Sequence, residues 1–416
     1  MTRVPPLLWT VLGASAMTTL GSLPVFLLGA QSVLIRDELG FGAGRFGIAV
    51  SAFFGAAALA ALLGGSTVDR LGRRTSTILA GTLTAAGGAG MALVPSWAAL
   101  VALMVLLGVG NAACQVTSNL AMAQVVPPHR RGLGFGVKQS AIPLSIVIAG
   151  LAVPVVATVV GWRWTFAATA LGGAVTVVAG LRQPAASRPA VGSAQLGLDR
   201  PPRAALLVTM LAIMLASASA NSLGSFVASW AVRVGLSPGQ AGLLMALGSA
   251  VNIAMRIGAG HLADHRHGRN LPVVAAQMGV GAVAVAALSF GTAPVLVPAA
   301  LLAFAVGWSW PGLLLFAVVR VGRDAPASAS GYVQAGAFAG GAAGPVLFGA
   351  LVSTAGYPVA WRCAAVGFLT AASLVLLARR LFVADLEARP PARPIGYGGG
   401  RSAPRRTTSR AGGAGS

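Results

Sequence analysis

From residue 6 to residue 380 the apolar positions run in stretches of about 20, each broken by a short polar interruption. Twelve such runs can be marked, at 8–33, 43–67, 75–95, 97–122, 133–159, 162–181, 204–231, 239–263, 271–291, 294–319, 329–354 and 360–379. A bilayer core needs about 20 consecutive apolar residues per helix. Within lipid the backbone must satisfy its own hydrogen bonds, so each run predicts a membrane-crossing α-helix. Strands of a membrane barrel alternate in polarity over about 10 residues, whereas these runs are continuous. The first run follows Arg3 but continues well beyond the apolar core of a secretory signal, and it is read as an uncleaved span.

The interruptions are not equal. Residues 183–203, QPAASRPAVGSAQLGLDRPPR, are polar and Pro-rich and divide the runs six and six. The expected organisation is an N-terminal six-helix bundle over 1–182, a cytoplasmic linker over 183–203 and a C-terminal six-helix bundle over 204–380. Residues 381–416, rich in Gly, Arg and Pro, are expected to form a disordered basic tail on the cytoplasmic side, free in solvent or lying on anionic lipid. With 56% hydrophobic and 9% charged residues and a mean hydropathy of +0.81, the 416 residues describe an all-α polytopic membrane protein rather than several soluble domains.

The net charge of +21 suggests nucleic acid in a soluble chain, but its placement argues otherwise. Arginines crowd one set of interruptions, including Arg70, Arg73, Arg74, Arg130, Arg131, Arg200, Arg203, Arg266, Arg269, Arg320 and Arg323, and also the tail. The opposite face holds Arg36, Arg45, Arg163, Arg233 and Arg362, while Lys138 and Arg256 fall inside runs. This is the positive-inside pattern. It predicts both termini in the cytoplasm and an inner, cytoplasmic membrane, and it leaves nucleic acid out. The two cysteines, Cys114 and Cys363, lie within runs as small apolar residues; no disulfide, metal site or cofactor is expected.

The halves repeat. G65-S-T-V-D-R-L-G-R-R74 follows the second run and G260-H-L-A-D-H-R-H-G-R269 the eighth, with Asp69 and Asp264 separated by 195 positions. The same offset carries Gly136 and Gln139 onto Gly331 and Gln334, and W162-R163 recurs as W361-R362. On these residues the chain resembles the major facilitator superfamily over most of 6–380. The pattern G-x-x-x-D-R-x-G-R-R between the second and third runs matches that superfamily's signature loop, and the second copy is degraded, with His265 in place of the Arg. The resemblance implies a fold of two pseudo-symmetric six-helix bundles and a monomeric transporter working by alternating access. It also implies that Gly65, Asp69, Arg70, Gly72, Arg73, Arg74 and Asp264 form a conformational latch. Asp69→Asn is therefore expected to lower transport without preventing membrane insertion, as measured by uptake in cells with matched membrane levels.

Candidate chemistry is sparse. None of the eight acidic residues lies mid-run, whereas proton relays and exporters of organic cations usually need a buried carboxylate. Drug/proton antiporters of the superfamily carry an arginine four residues before the Gly-x-Gly of span four; here that position is Met104. Their fifth-span G-x-x-x-G-P is also missing, although G340-x-x-x-G344-P345 stands in the eleventh run. Inside the spans lie cations instead. Arg256 is eight residues before Asp264, roughly 12 Å along a helix, with Asn252 one turn before it on the same face. Its spacing resembles the anion-contacting arginine of nitrate/nitrite porters and of the oxalate/formate exchanger, though the matching position in the first half is Ala61. Lys138, the only lysine, either supplies a second charge to a site or snorkels to the surface. Gln139, Gln334, Asn111, Gln115, Trp308 and Trp310 are further candidates for lining a cavity, each with helix packing as its alternative.

No motif of nucleotide binding, nucleophilic catalysis or metal binding is present, so an enzyme is not expected. The reading is a secondary transporter of a small organic or inorganic anion. The alternative is efflux of a neutral or amphipathic compound, and a non-transporting sensor is the remote third. Coupling is open among a uniporter, an exchanger and a symporter whose proton rides on the substrate.

Overall fold

The structure is a computed structural model that describes residues 6–125, 137–183, 199–265, 270–323 and 325–390, with the side chains of 6–9, 62–71, 119–125, 264–265 and 326–328 left out. All regular structure in the described residues is helical. In chain order the helices are α1 (Pro6–Ala30), the short α2 (Ser32–Leu39), α3 (43–71), α4 (73–92), α5 (Trp97–Val125), α6 (Val137–Ala157) and α7 (Arg163–Leu181), followed by α8 (Arg203–Arg233), α9 (Pro238–His265), α10 (Asn270–Leu288), α11 (Ala293–Arg320), α12 (Ala329–Ala355) and α13 (Tyr357–Ala388). With α2 set aside these are twelve long helices, six in each half.

Among the described residues, eleven helices are both long and apolar enough to cross a membrane. The remaining one, α4, is roughly 30 Å long at 1.5 Å per residue, but Arg73, Arg74 and its threonines and glycines lower its hydropathy. Those small residues serve packing. A Cβ on Gly81 would stand 2.8 Å from the Val177 backbone nitrogen, and one on Gly88 2.7 Å from that of Ala170, so α4 and α7 meet backbone to backbone as small residues allow in membranes. The molecule's outer surface is apolar, with Leu59, Val155, Val283 and Leu347 all exposed, as a lipid-facing surface must be.

Two expectations change. The signature segment is not a loop: helix continues through residue 71 and breaks only at Gly72, whose φ of 75° and ψ of 165° suit glycine alone. A tight reversal there lets α3 and α4 leave the membrane as rigid helices. The tail also begins later than residue 381, because α13 runs to Ala388. Its end is held by ion pairs: Arg323 reaches Asp199 at 2.7 Å and Asp385 at 2.6 Å, and Arg389 pairs with both acids. These bonds tie the last residues before α8 to the end of α13, and nothing in composition marks Asp199 and Asp385 as partners. Most of the linker and the rest of the tail lie outside the described residues.

The repeat is visible in the backbone. Gly40 and Gly235, each closing the link between the first two spanning helices of its half, both have positive φ, at 66° and 111°. Gly161 and Gly356, before the last helix of each half, have 104° and 82°. Each pair is 195 positions apart, the same spacing as Asp69 and Asp264.

The two halves close on each other at the face that carries these four glycines. A Cβ on Gly47 would lie 2.3 Å from the Pro345 carbonyl oxygen, one on Gly150 2.4 Å from that of Gly242, and one on Gly29 2.8 Å from that of Gly224. Ser32 and Ser229 hydrogen-bond across the same seam at 2.7 Å, and the Val346 amide donates to Ser51 Oγ at 3.0 Å. Phe46 and Phe226 pack edge to face with centroids 5.1 Å apart. G340-x-x-x-G344-P345 is a packing motif in this chain: Cβ atoms on Gly340 and Gly344 would meet the α8 carbonyls of Met214 and Ala218 at 2.1 and 2.4 Å.

On this face the first half has its own clamp. Arg163 donates to Glu38 at 2.7 Å and to the carbonyls of Ala92 and Val94, and Trp162 Nε1 donates to Glu38. The Arg163 hydrogen bond, helped by Trp162 and opposed by burial, holds the Glu38 carboxyl below the ordinary carboxylate range. A depressed carboxylate stabilises the fold above its unfolded pKa, and that contribution is lost as pH falls through the folded value. Glu38→Gln is therefore expected to melt about 2 °C or less below the parent at neutral pH, since both side chains are part exposed. The gap should close as pH drops below about 4, as read by thermal unfolding in detergent.

Candidate functional site

Between the halves lies a cavity of ≈ 110 Å³. Its lining comes from α1, α3, α5 and α6 on one side and α8, α9, α11 and α12 on the other. Residues 195 positions apart line it in pairs: Ser22 with Ser217, Phe26 with Asn221, Gln115 with Trp310, Gln139 with Gln334, and Ile142 with Ala337. The repeat thus supplies the frame, while the side chains on it have diverged. Phe53, Phe54, Phe338, Trp308 and Trp310 make an aromatic wall, and Arg256 is the one charged residue among the described lining residues.

Arg256 is 3% exposed. Its guanidinium donates through Nη1 to the Gln139 carbonyl at 2.5 Å and through Nη2 to the Trp308 carbonyl at 2.7 Å. Both acceptors stand at irregularities in their helices. The regular donor for the Gln139 carbonyl would be the amide of residue 143, but that residue is Pro143 and has none. Trp308 sits between the π turn Ala303–Gly307 and the helix that resumes at Trp310, with φ −107° and ψ 15°. Asn252, one turn before Arg256, donates to the carbonyls of Phe304 and Ala305 at 2.6 and 3.1 Å. It steadies the broken wall of α11 and does not itself line the cavity.

Two donors at this cavity have no acceptor among the described residues: Arg256 Nε and Trp310 Nε1, both buried. An unmatched buried donor costs about 1–3 kcal/mol, and more on a charged group.

Seven of the residues picked out from sequence line the cavity: Arg256, Gln139, Gln334, Asn111, Gln115, Trp308 and Trp310. Lys138 does not. It is 4% exposed, so it does not snorkel, and it lies behind the lining with Nζ donating to Gln115 Oε1 at 3.3 Å. Its partner Gln115 is the group the cavity sees. The phenylalanines, Ser22 and Ser217 carry no such mark in the sequence, because an aromatic or hydroxyl residue in an apolar run looks the same whether it packs or lines a void. Of the residues expected to form a latch, Gly72 makes the turn, Arg73 is exposed and its carbonyl accepts from Thr77 at 2.8 Å, and Arg74 is half-buried. The side chains of Asp69, Arg70 and Asp264, and the surroundings of Gly65, lie outside the described residues.

Comparison with known proteins agrees with this architecture. The family model described as Major Facilitator Superfamily matches residues 10–332 and 209–409. An uncharacterized MFS-type transporter of Mycobacterium tuberculosis is 27% identical over 78% of this chain and 74% of its own length. A D-xylose transporter of Levilactobacillus brevis is 27% identical over 39% of this chain, a match spanning 36% of that transporter. A human facilitated glucose transporter, member 12 of its family, is 32% identical over 28% of this chain, a match spanning 19% of that protein. Among solved structures, a bacterial homolog of the human lysosomal transporter Spinster, in an inward-facing and unoccupied conformation, superposes with a TM-score of 0.67 at 15% identity. That match covers 92% of this chain and 99% of the other.

Proposed function

The chain belongs to the Major Facilitator Superfamily and is a multi-pass membrane transporter of a small molecule rather than an enzyme, and from that premise we propose that it carries a small organic monoanion with a flat apolar body. The observation that carries this reading is the pair of unmatched buried donors, Arg256 Nε and Trp310 Nε1, on residues that line a cavity with no carboxylate among its described lining residues. A carboxylate accepts two parallel N–H bonds from a guanidinium edge and is recognised better by this planar fork than by an ammonium. The aromatic wall supports an apolar body on the same ligand. The cavity of ≈ 110 Å³ is smaller than the roughly 150 Å³ that holds benzene, so a short branched chain suits it as it stands and a single ring needs the halves to loosen slightly.

The remaining parts of the proposal follow the charge pattern. Arginine-rich segments on the side of the signature helices support both termini being in the cytoplasm, and on that reading the seam closed in the structure is the outer one. The carrier works as a monomer by rocking its halves about the cavity. Asp69 and the arginines beside it stabilise the opposite state. Efflux of a neutral or amphipathic compound is the competing reading, and the aromatic wall is the observation in its favour. The test is uptake into proteoliposomes of radiolabelled benzoate, a branched-chain 2-oxo acid, a sugar acid and xylose, at fixed pH. Saturable uptake of either of the first two, lost in Arg256→Ala, supports the proposal. Transport of xylose alone, or export of a hydrophobic dye that survives Arg256→Ala, overturns it.

A further inference from the structure

The Arg256 guanidinium does more than face the cavity: it joins the halves. Arg256 belongs to α9 in the second half, its acceptor Gln139 to α6 in the first, and the Nη1 bond between them is short at 2.5 Å. The other direct bonds between the halves described above, at Ser32 and Ser51, lie in the closed seam. The Arg256 bond lies at the cavity and uses a group that a ligand would also seek.

What makes this bond available is Pro143. With any other residue at 143 the helix would offer an amide to the Gln139 carbonyl, four residues earlier, and close its own ladder. Proline removes that donor, and a buried carbonyl left without a partner is costly. Arg256 supplies the partner from the other half. Rocking of one half on the other changes the spacing of α6 and α9, which already touch at Gly150 and Gly242, and a bond of this length cannot stretch with them. A reorientation that parts α6 from α9 breaks it.

We infer that the Arg256 to Gln139 carbonyl bond is a ligand-released clasp, with Pro143 as its positioning residue. In the empty carrier the clasp holds the halves in the state seen here. An anion that takes the Arg256 edge draws the guanidinium off the Gln139 carbonyl and frees the halves to rock. The empty carrier consequently reorients slowly and the loaded one quickly, so the protein exchanges anions faster than it moves them one way. The inference rests on the anion reading for its trigger but not for the clasp itself.

The test separates the two. Single cysteines at Val160 and Phe290, exposed positions in helix links of the two halves, are spin-labelled in a Cys363→Ser background, and the distance between them is measured in proteoliposomes. The parent without ligand should show one short population, and benzoate should add a longer one. Pro143→Ala returns a donor to the Gln139 carbonyl and should show the longer population without ligand, with the equilibrium shifted roughly tenfold or more. Arg256→Gln should shift it in the same direction. In flux assays Pro143→Ala should lower the ratio of benzoate exchange to net benzoate uptake toward one, whereas a merely structural lesion would lower both together. Parent-like ligand-free distances in both variants would overturn the clasp. A shift in the variants with no response of the parent to benzoate would keep the clasp and remove benzoate-like anions as its trigger.

Discussion

Replacing Arg256 by alanine is expected to reduce saturable anion uptake by roughly 10- to 100-fold in kcat/KM. That range follows from about 1.5–3 kcal/mol for a hydrogen bond to a charged group and 1.4 kcal/mol per factor of ten. Arg256→Lys should recover only part of the loss, because an ammonium keeps the charge but not the planar edge that carries Nε. The distinction matters because Arg256 is buried, binds two carbonyls and has one donor unmatched. If it were only a structural strap, alanine would lower protein stability and leave the apparent affinity of the surviving molecules unchanged. Initial rates over a benzoate concentration series, normalised to folded protein, decide between these outcomes.

Gly47→Val is expected to hold the carrier open at the seam that is closed here. A Cβ at position 47 meets the Pro345 carbonyl oxygen at 2.3 Å and the Val346 Cα at 3.2 Å. Both are backbone atoms of α12, so no rotamer change relieves the overlap, and the helices must separate. Overpacking of this kind costs about 1–3 kcal/mol, enough to shift the two states by roughly 5- to 150-fold. A cysteine at Ser229, buried against Ser32 in the closed seam, reports the change when Cys363 is replaced by serine. It should resist a membrane-impermeant maleimide in the parent background and react readily with Gly47→Val. Gly55→Val, on the same helix but facing open space, should leave the labelling unchanged. Equal protection in both variants would show that the seam tolerates the added methyls.

The same two residues show what was readable in advance. Arg256 stands out in sequence because a charge in a lipid-spanning run is expensive and has few reasons to be there. Its depth and the helix face it shares with Asn252 follow from helical spacing. Its acceptors do not, because Gln139 is 117 positions away and no local rule pairs them. Lys138 makes the converse point. Its rarity drew attention, but whether a long side chain reaches a cavity, the surface or a neighbour depends on what packs beside it, and here that neighbour is Gln115. Gly47 carries no signal at all, since a glycine in an Ala- and Gly-rich run becomes special only when a second helix arrives.

By itself the sequence determined the number and nature of the spanning helices, their division into repeated halves and the loading of one face with arginine. These are properties of single segments in lipid, where an apolar run of sufficient length has no stable choice but a helix. The tertiary structure decided which faces of those helices meet. It paired Asp199 with Arg323 and Asp385 with Arg389, closed one seam through Gly29, Gly47 and Gly150, and gathered an aromatic wall and two residues with unmatched donors around one void. In lipid no hydrophobic force selects one apolar helix face over another. That choice is left to close packing and to hydrogen bonds between residues far apart in the chain, and neither is written in any one segment.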